Sequence, residues 1–378
     1  MLTRVQLAAL HRSFRNEPVL SVYIDGAATD PASRHAWRVE VDHRFNDLRL
    51  WLADASHTER AALERSIELL EEELAPLAGG VGAPGWVAFI GAGRLREAHR
   101  LPAPMPTLVV WSTGLCVAPY MRALKQTRPV VVAVADARKV DLYYYCVGKL
   151  DRIATLRAHR VIEPPSHMGG PSMQGFHTGT RGSAGHDAAQ RALLAGRDRM
   201  VAEAADHIQS LAADDSWIVL GGIPRVVARL ASRLSAVSPH RILELEALDI
   251  HASAAQIAQA AQAGASTLRD ASDARQLANI AELAESGGAG AVGPGATEHA
   301  LEQASVRELY LTRRYLNAHP DEAEDAVRAA FDQDAVVEEV SRAPAVWLDA
   351  RGGMAAQLRY RVGEADGVGT GIAELALR

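Results

Sequence analysis

The chain has 378 residues, which exceeds the size of one ordinary hydrophobic core and predicts two or three domains. Three domains of about 125 residues each fit this length best. The formal charge of −6 excludes a uniformly basic nucleic-acid binder, so any contact with RNA must come from local patches. Cys116 and Cys146 are the two cysteines, and each lies in an apolar segment, which favours a cytosolic protein without disulfides or cysteine-ligated metal.

The first predicted domain, residues 1–125, is an α/β domain. Its opening segment carries Arg4, His11 and Arg12, so we expect neither a signal peptide nor a membrane span there. Alternating apolar residues predict a strand at 19–25, and short apolar runs predict strands at 86–90 and 108–111. Helical spacing is shown by Leu7, Leu10 and Phe14, by Val41, Phe45, Leu48 and Leu52, and by Leu63, Ile67, Leu70 and Leu74.

The second predicted domain, residues 126–250, begins with the β-branched run PVVVAVAD and continues, after a charged turn at 137–139, into DLYYYCVG. Such a pair of runs is typical of a buried β-hairpin. After a long loop, helical spacing begins at Asp187, and strands are predicted at 217–220 and 241–245 with a helix between them. This order of elements predicts a mixed-sheet α/β domain.

The loop between hairpin and helix, residues 163–191, is rich in glycine and in cationic side chains. Loops of this length inside a compact domain are uncommon and are usually functional or disordered. Its glycines leave backbone amides open to an anion, which favours an interface with phosphate, whereas the alternative is a disordered surface insertion. The candidate binding residues that it supplies are His167, His177, Arg181, His186 and Arg191.

The third predicted domain, residues 251–378, starts with Ala-rich helices and ends as an α/β/α sandwich with strands at 308–311, 336–340 and 357–362. A Gly-rich turn at 287–295 suggests a phosphate cradle, but it lacks the Gly-Lys-Ser/Thr ending of such loops. Arg313 and Arg314 form a solvated face or, at a domain edge, a contact with the phosphate backbone of RNA.

Two places in the chain resemble the archaeo-eukaryotic release factor and Pelota superfamily, and in particular its bacterial branch of Balon-like ribosome-associated factors. In the third domain, a Gly-Gly turn is followed by a Leu-Arg-Tyr strand, as in the family's C-terminal domain. In the second, a hairpin, a loop with a Gly-Gly pair and a long helix resemble the family's ribonuclease-H-like central domain. The first domain is similar only to the variable N-terminal domain of the bacterial branch. The matching residues are Gly352, Gly353, Leu358, Arg359 and Tyr360, and Gly169 and Gly170.

The resemblance implies that the central loop reaches the peptidyl-transferase centre, where release factors carry a Gly-Gly-Gln triplet that positions water. Here Gly169 and Gly170 are followed by Pro171, and the nearest glutamine is Gln174. Proline has no backbone N–H, and loss of one donor to the reacting centre costs roughly two to three orders of magnitude in rate. The resemblance, together with Pro171, therefore implies a factor that occupies the ribosomal A site in hibernation or rescue without efficient peptide release.

The partners implied by this resemblance are the 70S ribosome through its ribosomal RNA, P-site tRNA and a translational GTPase. Neither membrane nor DNA is an expected partner, and no cofactor is expected. Phosphate contacts would come from Arg181 and Arg191 together with Arg197 and Arg199 of the following helix.

Two alternatives remain open at this stage. One is a peptidyl-tRNA hydrolase in which Gln174 orients water. The other is a metal-dependent nuclease built on Asp136, Asp141 and Asp187, although the two strand aspartates are also placed to cap turns. The histidines of the loop match no standard metal-ligand spacing.

Overall fold

A computed structural model describes residues 1–27, 35–158, 181–212, 216–235, 239–340 and 342–361, with side chains from residue 190 onward in the helix that starts at Arg181. The chain forms two compact units. The terminal unit combines residues 1–127 and 273–378, and the central unit comprises residues 128–272.

The amino-terminal part of the terminal unit is an antiparallel sheet in the order β3-β2-β1-β4 with four helices. Its elements are α1 (Arg4–Ser13), β1 (Pro18–Asp25), α2 (Ala36–Trp51), α3 (His57–Leu74), a 3-10 turn (Ala75–Gly79), β2 (Gly85–Gly91), β3 (Arg94–Leu101), β4 (Leu108–Thr113) and α4 (Ala118–Gln126).

Both faces of β1, an inner strand of this first sheet, are buried. Leu20, Val22 and Ile24 on one face of β1 pack with the apolar residues of α2 and α3. Val19 and Tyr23, on the opposite face, share a core with α1, α4 and the carboxyl-terminal part of the unit. This shared core explains why the first and last parts of the chain form one compact unit.

The carboxyl-terminal part of the terminal unit has a four-stranded sheet in the order β10-β13-β11-β12, with helices on both faces. It is reached through α7 (Ala254–Glu285), which crosses the boundary between the units at residue 273. The remaining elements are β10 (Gly290–Val292), α8 (Pro294–Glu302), β11 (Val306–Thr312), α9 (Arg313–Ala318), α10 (Pro320–Asp332), β12 (Val336–Val340), α11 (Arg342–Asp349) and β13 (Met354–Leu358).

The Gly-Gly turn before β13 is a steric requirement of this fold. Gly352 and Gly353 have φ values of 95° and 81°, a region that side chains rarely adopt. A Cβ at Gly353 would lie 2.7 Å from the Cβ of Tyr315, and one at Gly352 would lie 2.5 Å from the Cδ of Pro294. The resemblance at this turn therefore has a structural cause, which is close packing against α8 and α9.

The central unit is a mixed sheet in the order β7-β6-β5-β8-β9. The first three strands are antiparallel neighbours, whereas β8 and β9 run parallel to β5. Its elements are β5 (Val130–Ala135), β6 (Lys139–Cys146), β7 (Lys149–Arg157), α5 (Arg181–Leu211), β8 (Trp217–Gly222), α6 (Pro224–Ser235), a 3-10 turn (Pro239–Arg241) and β9 (Ile242–Leu245).

The predicted fold class, α/β with a mixed central sheet and an α/β/α arrangement at the carboxyl terminus, is confirmed. The helix predicted from Asp187 begins instead at Arg181, so the last third of the predicted loop is helical. The predicted strand at 357–362 is displaced, because β13 ends at Leu358. The several Ala-rich helices are one continuous helix, α7. The predicted domain boundaries near residues 125 and 250 stay a prediction.

The strands and short helices that the sequence patterns miss are β3, β7, β10, α4, α9 and α11. Both β3 and β7 are edge strands, and edge strands carry charged residues that disguise their apolar alternation. In the described part of the chain, no helix has a stretch that is both long and apolar enough to cross a membrane.

Candidate functional site

The predicted site residues fall into three groups. The first group lies outside the described residues and consists of His167, Gly169, Gly170, Pro171, Gln174 and His177. The second, Arg181 and His186, lies at the start of α5, where only the backbone is described. The third, Arg191, Arg197 and Arg199, lies farther along α5, and its side chains are described.

Arg197 ties α5 to the hairpin of the central sheet. Its Nε donates to the carbonyl of Ala137, in the turn between β5 and β6, at 3.0 Å. Arg191 and Arg199 are exposed on the same helix. The structure thus gives Arg197 a structural anchor and leaves Arg199 at the surface, where a phosphate can reach it.

The turn that receives Arg197 is organised by Asp136, as the sequence predicts for a turn-capping aspartate. Its Oδ1 accepts from the backbone N–H groups of Arg138 and Lys139 at 2.5 and 2.6 Å. The backbone N–H of Asp136 also donates to the carbonyl of Lys139 at 2.9 Å. The carboxylate is therefore engaged in holding the hairpin.

Asp141 does not cap a turn, which corrects the sequence interpretation. It lies buried on β6, where Lys139 Nζ and Thr155 Oγ1 donate to it, both at 2.7 Å, and Arg152 forms a further ion pair. Burial by itself raises the pKa of Asp141, but these hydrogen bonds hold the pKa below its usual value.

Among the residues whose side chains are described, the geometry shows no metal site for the nuclease interpretation. Asp136 caps a turn, Asp141 is neutralised by two cations, and the side chain of Asp187 lies outside the described part. Within the described ranges, no three His, Cys, Asp or Glu side chains come together as they would around a metal ion.

The structure brings Arg197 together with two arginines that the sequence interpretation left out, Arg225 and Arg229 of α6. All three line a cleft of about 50 Å³ between α5 and α6. Its apolar lining comes from Leu194, Met200, Val201 and Val226. The signal that could have revealed these residues is the four-residue spacing of arginines in a helix without acidic residues.

Residues 116–266 match the family described as bacterial archaeo-eukaryotic release factor family 10. This range covers the central unit from β5 to β9 and less than half of the chain. No curated protein matches the chain.

Several solved structures are similar to the chain at low identity. Pelota from Archaeoglobus fulgidus has 13% identity and a TM-score of 0.36, over 74% of this chain and 80% of that one. Dom34 from S. cerevisiae has 9% identity and a TM-score of 0.45, over 74% and 82%. The archaeal termination factor aRF1 has 17% identity and a TM-score of 0.26, over 95% and 98%.

At TM-scores this low, these similarities say nothing about what the chain binds. The family match rests instead on the central sheet and its helices, the same region in which the hairpin, the Gly-Gly pair and the long helix carry the resemblance. The predicted resemblance is confirmed over that range: residues 116–266 are similar to bacterial archaeo-eukaryotic release factor family 10.

Proposed function

We propose that this protein is a ribosome-associated factor of the release factor and Pelota type, which occupies the A site in the cytoplasm with its central loop near the peptidyl-transferase centre. Its role would be hibernation or rescue, without efficient peptide release. The observation that carries this proposal is the family match across the central unit, which includes the segment between β7 and α5 that bears Gly169, Gly170 and Pro171.

The expected lack of release follows from the chemistry of Pro171. Ester hydrolysis requires donors directed at the oxygen on which negative charge develops, and proline has no N–H to donate. Proline also lacks the side-chain amide that a glutamine would offer to water. Binding needs neither group, because contacts with phosphate and backbone can come from the rest of the segment and from α5.

The charge distribution supports an interface on the central unit. Residues 128–272 carry 16 Lys or Arg and 14 Asp or Glu, a formal charge of +2. The whole chain carries −6, so the remaining residues carry −8. A polyanion such as ribosomal RNA is therefore attracted to the central unit and repelled by the average of the terminal unit.

The first test is co-sedimentation of the full chain with 70S ribosomes at low salt, from growing and from starved cells. We expect pelleting with ribosomes that decreases steeply as salt rises, because phosphate contacts release counterions. Absence of pelleting under both growth conditions at low salt would refute the proposal.

The alternative function is peptidyl-tRNA hydrolysis, with Gln174 as the residue that orients water. Release of labelled peptide from a stalled ribosome complex distinguishes the two functions. We expect background release from the wild type and from Gln174→Ala, and higher release from Pro171→Gln, which recreates the triplet. Wild-type release that Gln174→Ala abolishes would establish the hydrolase instead.

A translational GTPase and P-site tRNA are proposed as further partners on the family resemblance. Reconstituted ribosomes with and without P-site tRNA test the second of these, since a loop near the peptidyl-transferase centre would contact the tRNA end. Equal affinity in both cases would argue against that contact.

A further inference from the structure

Helix α6 presents a row of three exposed arginines. Arg225, Arg229 and Arg233 are spaced four residues apart, and Pro224–Ser235 contains no acidic residue. The opposite side of the helix, with Val227, Leu230 and Leu234, is buried in the core of the central unit. These side chains therefore share one face at intervals of about 6 Å along the helix axis. We call this row the α6 arginine face.

Two guanidinium groups beside the cleft at the start of this face are held in place. Arg197 is anchored by the carbonyl of Ala137, and Arg229 forms an ion pair with Asp198 of α5. Each guanidinium has five N–H donors, so donors remain on both groups for a ligand. Arg225 completes the rim of the cleft, and Arg233 extends the row by one helical turn.

We propose that the α6 arginine face binds the sugar-phosphate backbone of a structured RNA, with one phosphate seated in the α5–α6 cleft. This inference deepens the proposed function, because it names the surface that would meet ribosomal RNA, and in that respect it rests on it. None of Arg225, Arg229 and Arg233 was among the residues predicted from the sequence.

Three observations favour RNA backbone over an acidic protein partner. Planar guanidinium forks match phosphate oxygens in pairs, and a regular row of them suits a regularly charged chain. The cleft is small, at about 50 Å³, and the three arginines that line it offer the paired N–H donors that a single phosphate accepts. The central unit has a net positive charge although the chain as a whole is acidic.

The test compares two double variants with the same charge change. Arg225→Glu/Arg233→Glu alters the α6 arginine face while leaving the Arg229–Asp198 pair intact. Arg60→Glu/Arg94→Glu, at exposed positions of α3 and β3 in the terminal unit, is the control. Each protein is assayed for anisotropy of a fluorescein-labelled RNA duplex and for pelleting with 70S ribosomes. Circular dichroism verifies folding, and Arg225→Gln/Arg233→Gln replaces the first variant if it unfolds.

We expect the α6 variant to bind the RNA duplex at least roughly tenfold more weakly than the wild type, while the control binds as the wild type does. The slope of the logarithm of the binding constant against the logarithm of the salt concentration should be smaller by about two for the α6 variant. Equal weakening in both variants would overturn the inference, because it would show a general charge effect. Lost ribosome pelleting with unchanged RNA binding would also overturn it, in favour of an acidic ribosomal protein.

The same data separate this inference from the proposed function. If the wild-type protein binds the duplex through α6 but does not pellet with ribosomes, the proposed ribosome-associated function is refuted and RNA binding by the α6 arginine face is supported. If the wild-type protein pellets with ribosomes and the α6 substitutions change neither pelleting nor duplex binding, the proposed function is supported and RNA binding by the α6 arginine face is refuted.

Discussion

The terminal and central units use charged residues in opposite ways. The terminal unit, with a formal charge of −8, buries part of its charge as ion pairs in its interior. The central unit, at +2, places most arginines of α5 and α6 at the surface. Buried charge in the terminal unit holds distant segments together. In the central unit, the buried Asp141 pairs only within the β6–β7 hairpin, and the exposed arginines of α5 and α6 are accessible to a partner.

The buried charges of the terminal unit are centred on Lys125 of α4. Its Nζ lies 2.7 and 2.9 Å from the carboxylate oxygens of Asp273 in α7, and 2.8 Å from the carbonyl oxygen of Glu339. Glu338, the preceding residue of β12, contributes a carboxylate oxygen at 3.3 Å. Residues on three elements, far apart in the chain, are therefore joined through one ammonium group.

Replacing Lys125 with Met should produce the largest effect on the terminal unit. The substitution leaves Asp273 buried opposite an uncharged side chain, and breaking a buried ion pair on one side costs roughly 3–5 kcal/mol. We expect the free energy of unfolding of the terminal unit to fall by that amount in urea denaturation. Arg60→Met, at an exposed position of α3, is the control and should change it little.

If Lys125→Met lowers the free energy of unfolding by less than about 1 kcal/mol, the contrast between the two units is contradicted, because exposed ion pairs contribute up to about that much. Ion pairs of the terminal unit would then contribute no more than those at the surface, and only the positions of the charges would distinguish the two units.

The pH dependence of stability should show a second, smaller effect of burial in the terminal unit. Glu324 of α10 has a buried Oε1 without a hydrogen-bond partner in the described part of the structure. Burial raises the pKa of Glu324 to about 7, against the opposing effects of the Cys116 thiol and Arg328. The folded state therefore holds a proton that the unfolded chain releases near pH 4.5.

Because the folded pKa is the higher one, the stabilisation is complete below about pH 4.5 and is lost as the pH rises towards 7. Glu324→Gln should remove this dependence, which amounts to at most about 3 kcal/mol. The measurement is the difference in unfolding free energy between wild type and variant across this range, which cancels the contribution of other groups. If this difference in unfolding free energy does not vary with pH, the pKa of Glu324 is not raised in the folded state.

The smallest predicted effect concerns the hairpin turn of the central unit. Asp136→Ala removes two hydrogen bonds to backbone N–H groups near the surface, and we expect a loss of about 1 kcal/mol in the stability of the central unit. Asp136→Asn, which keeps an acceptor oxygen, should lose less. Equal losses for both substitutions would indicate that the charge of Asp136, and not the hydrogen bonds, stabilises the turn.

The secondary structure was predictable where apolar periodicity was strong. Leu20, Val22 and Ile24 share a buried face of β1, as their alternation predicts, and the helical spacing of Leu63 and Ile67 corresponds to α3. Prediction failed at the edge strand β3, whose sequence RLREAHRL is largely polar, and at the start of α5, where glycines suggested a loop. At β3, pairing with β2 overrides the local preference of the sequence.

The candidate site was predictable only in part. The capping role of Asp136 followed from local turn chemistry, and the structure confirms it. The pairing of Asp141 with Arg152 depends on β7, a strand that the pattern did not reveal. Arg225 and Arg229 were missed because their approach to Arg197 depends on how α6 packs against α5.

The sequence by itself determined the strongly periodic elements, the family resemblance of the central unit, and the presence of Pro171 directly after the Gly169–Gly170 pair. These follow from covalent structure and from periodicity over a few residues. Only the tertiary structure decided which charges are buried and which are exposed. Lys125 and Asp273 are 148 residues apart, and such a contact is fixed by the packing of distant segments and has no signature in local sequence.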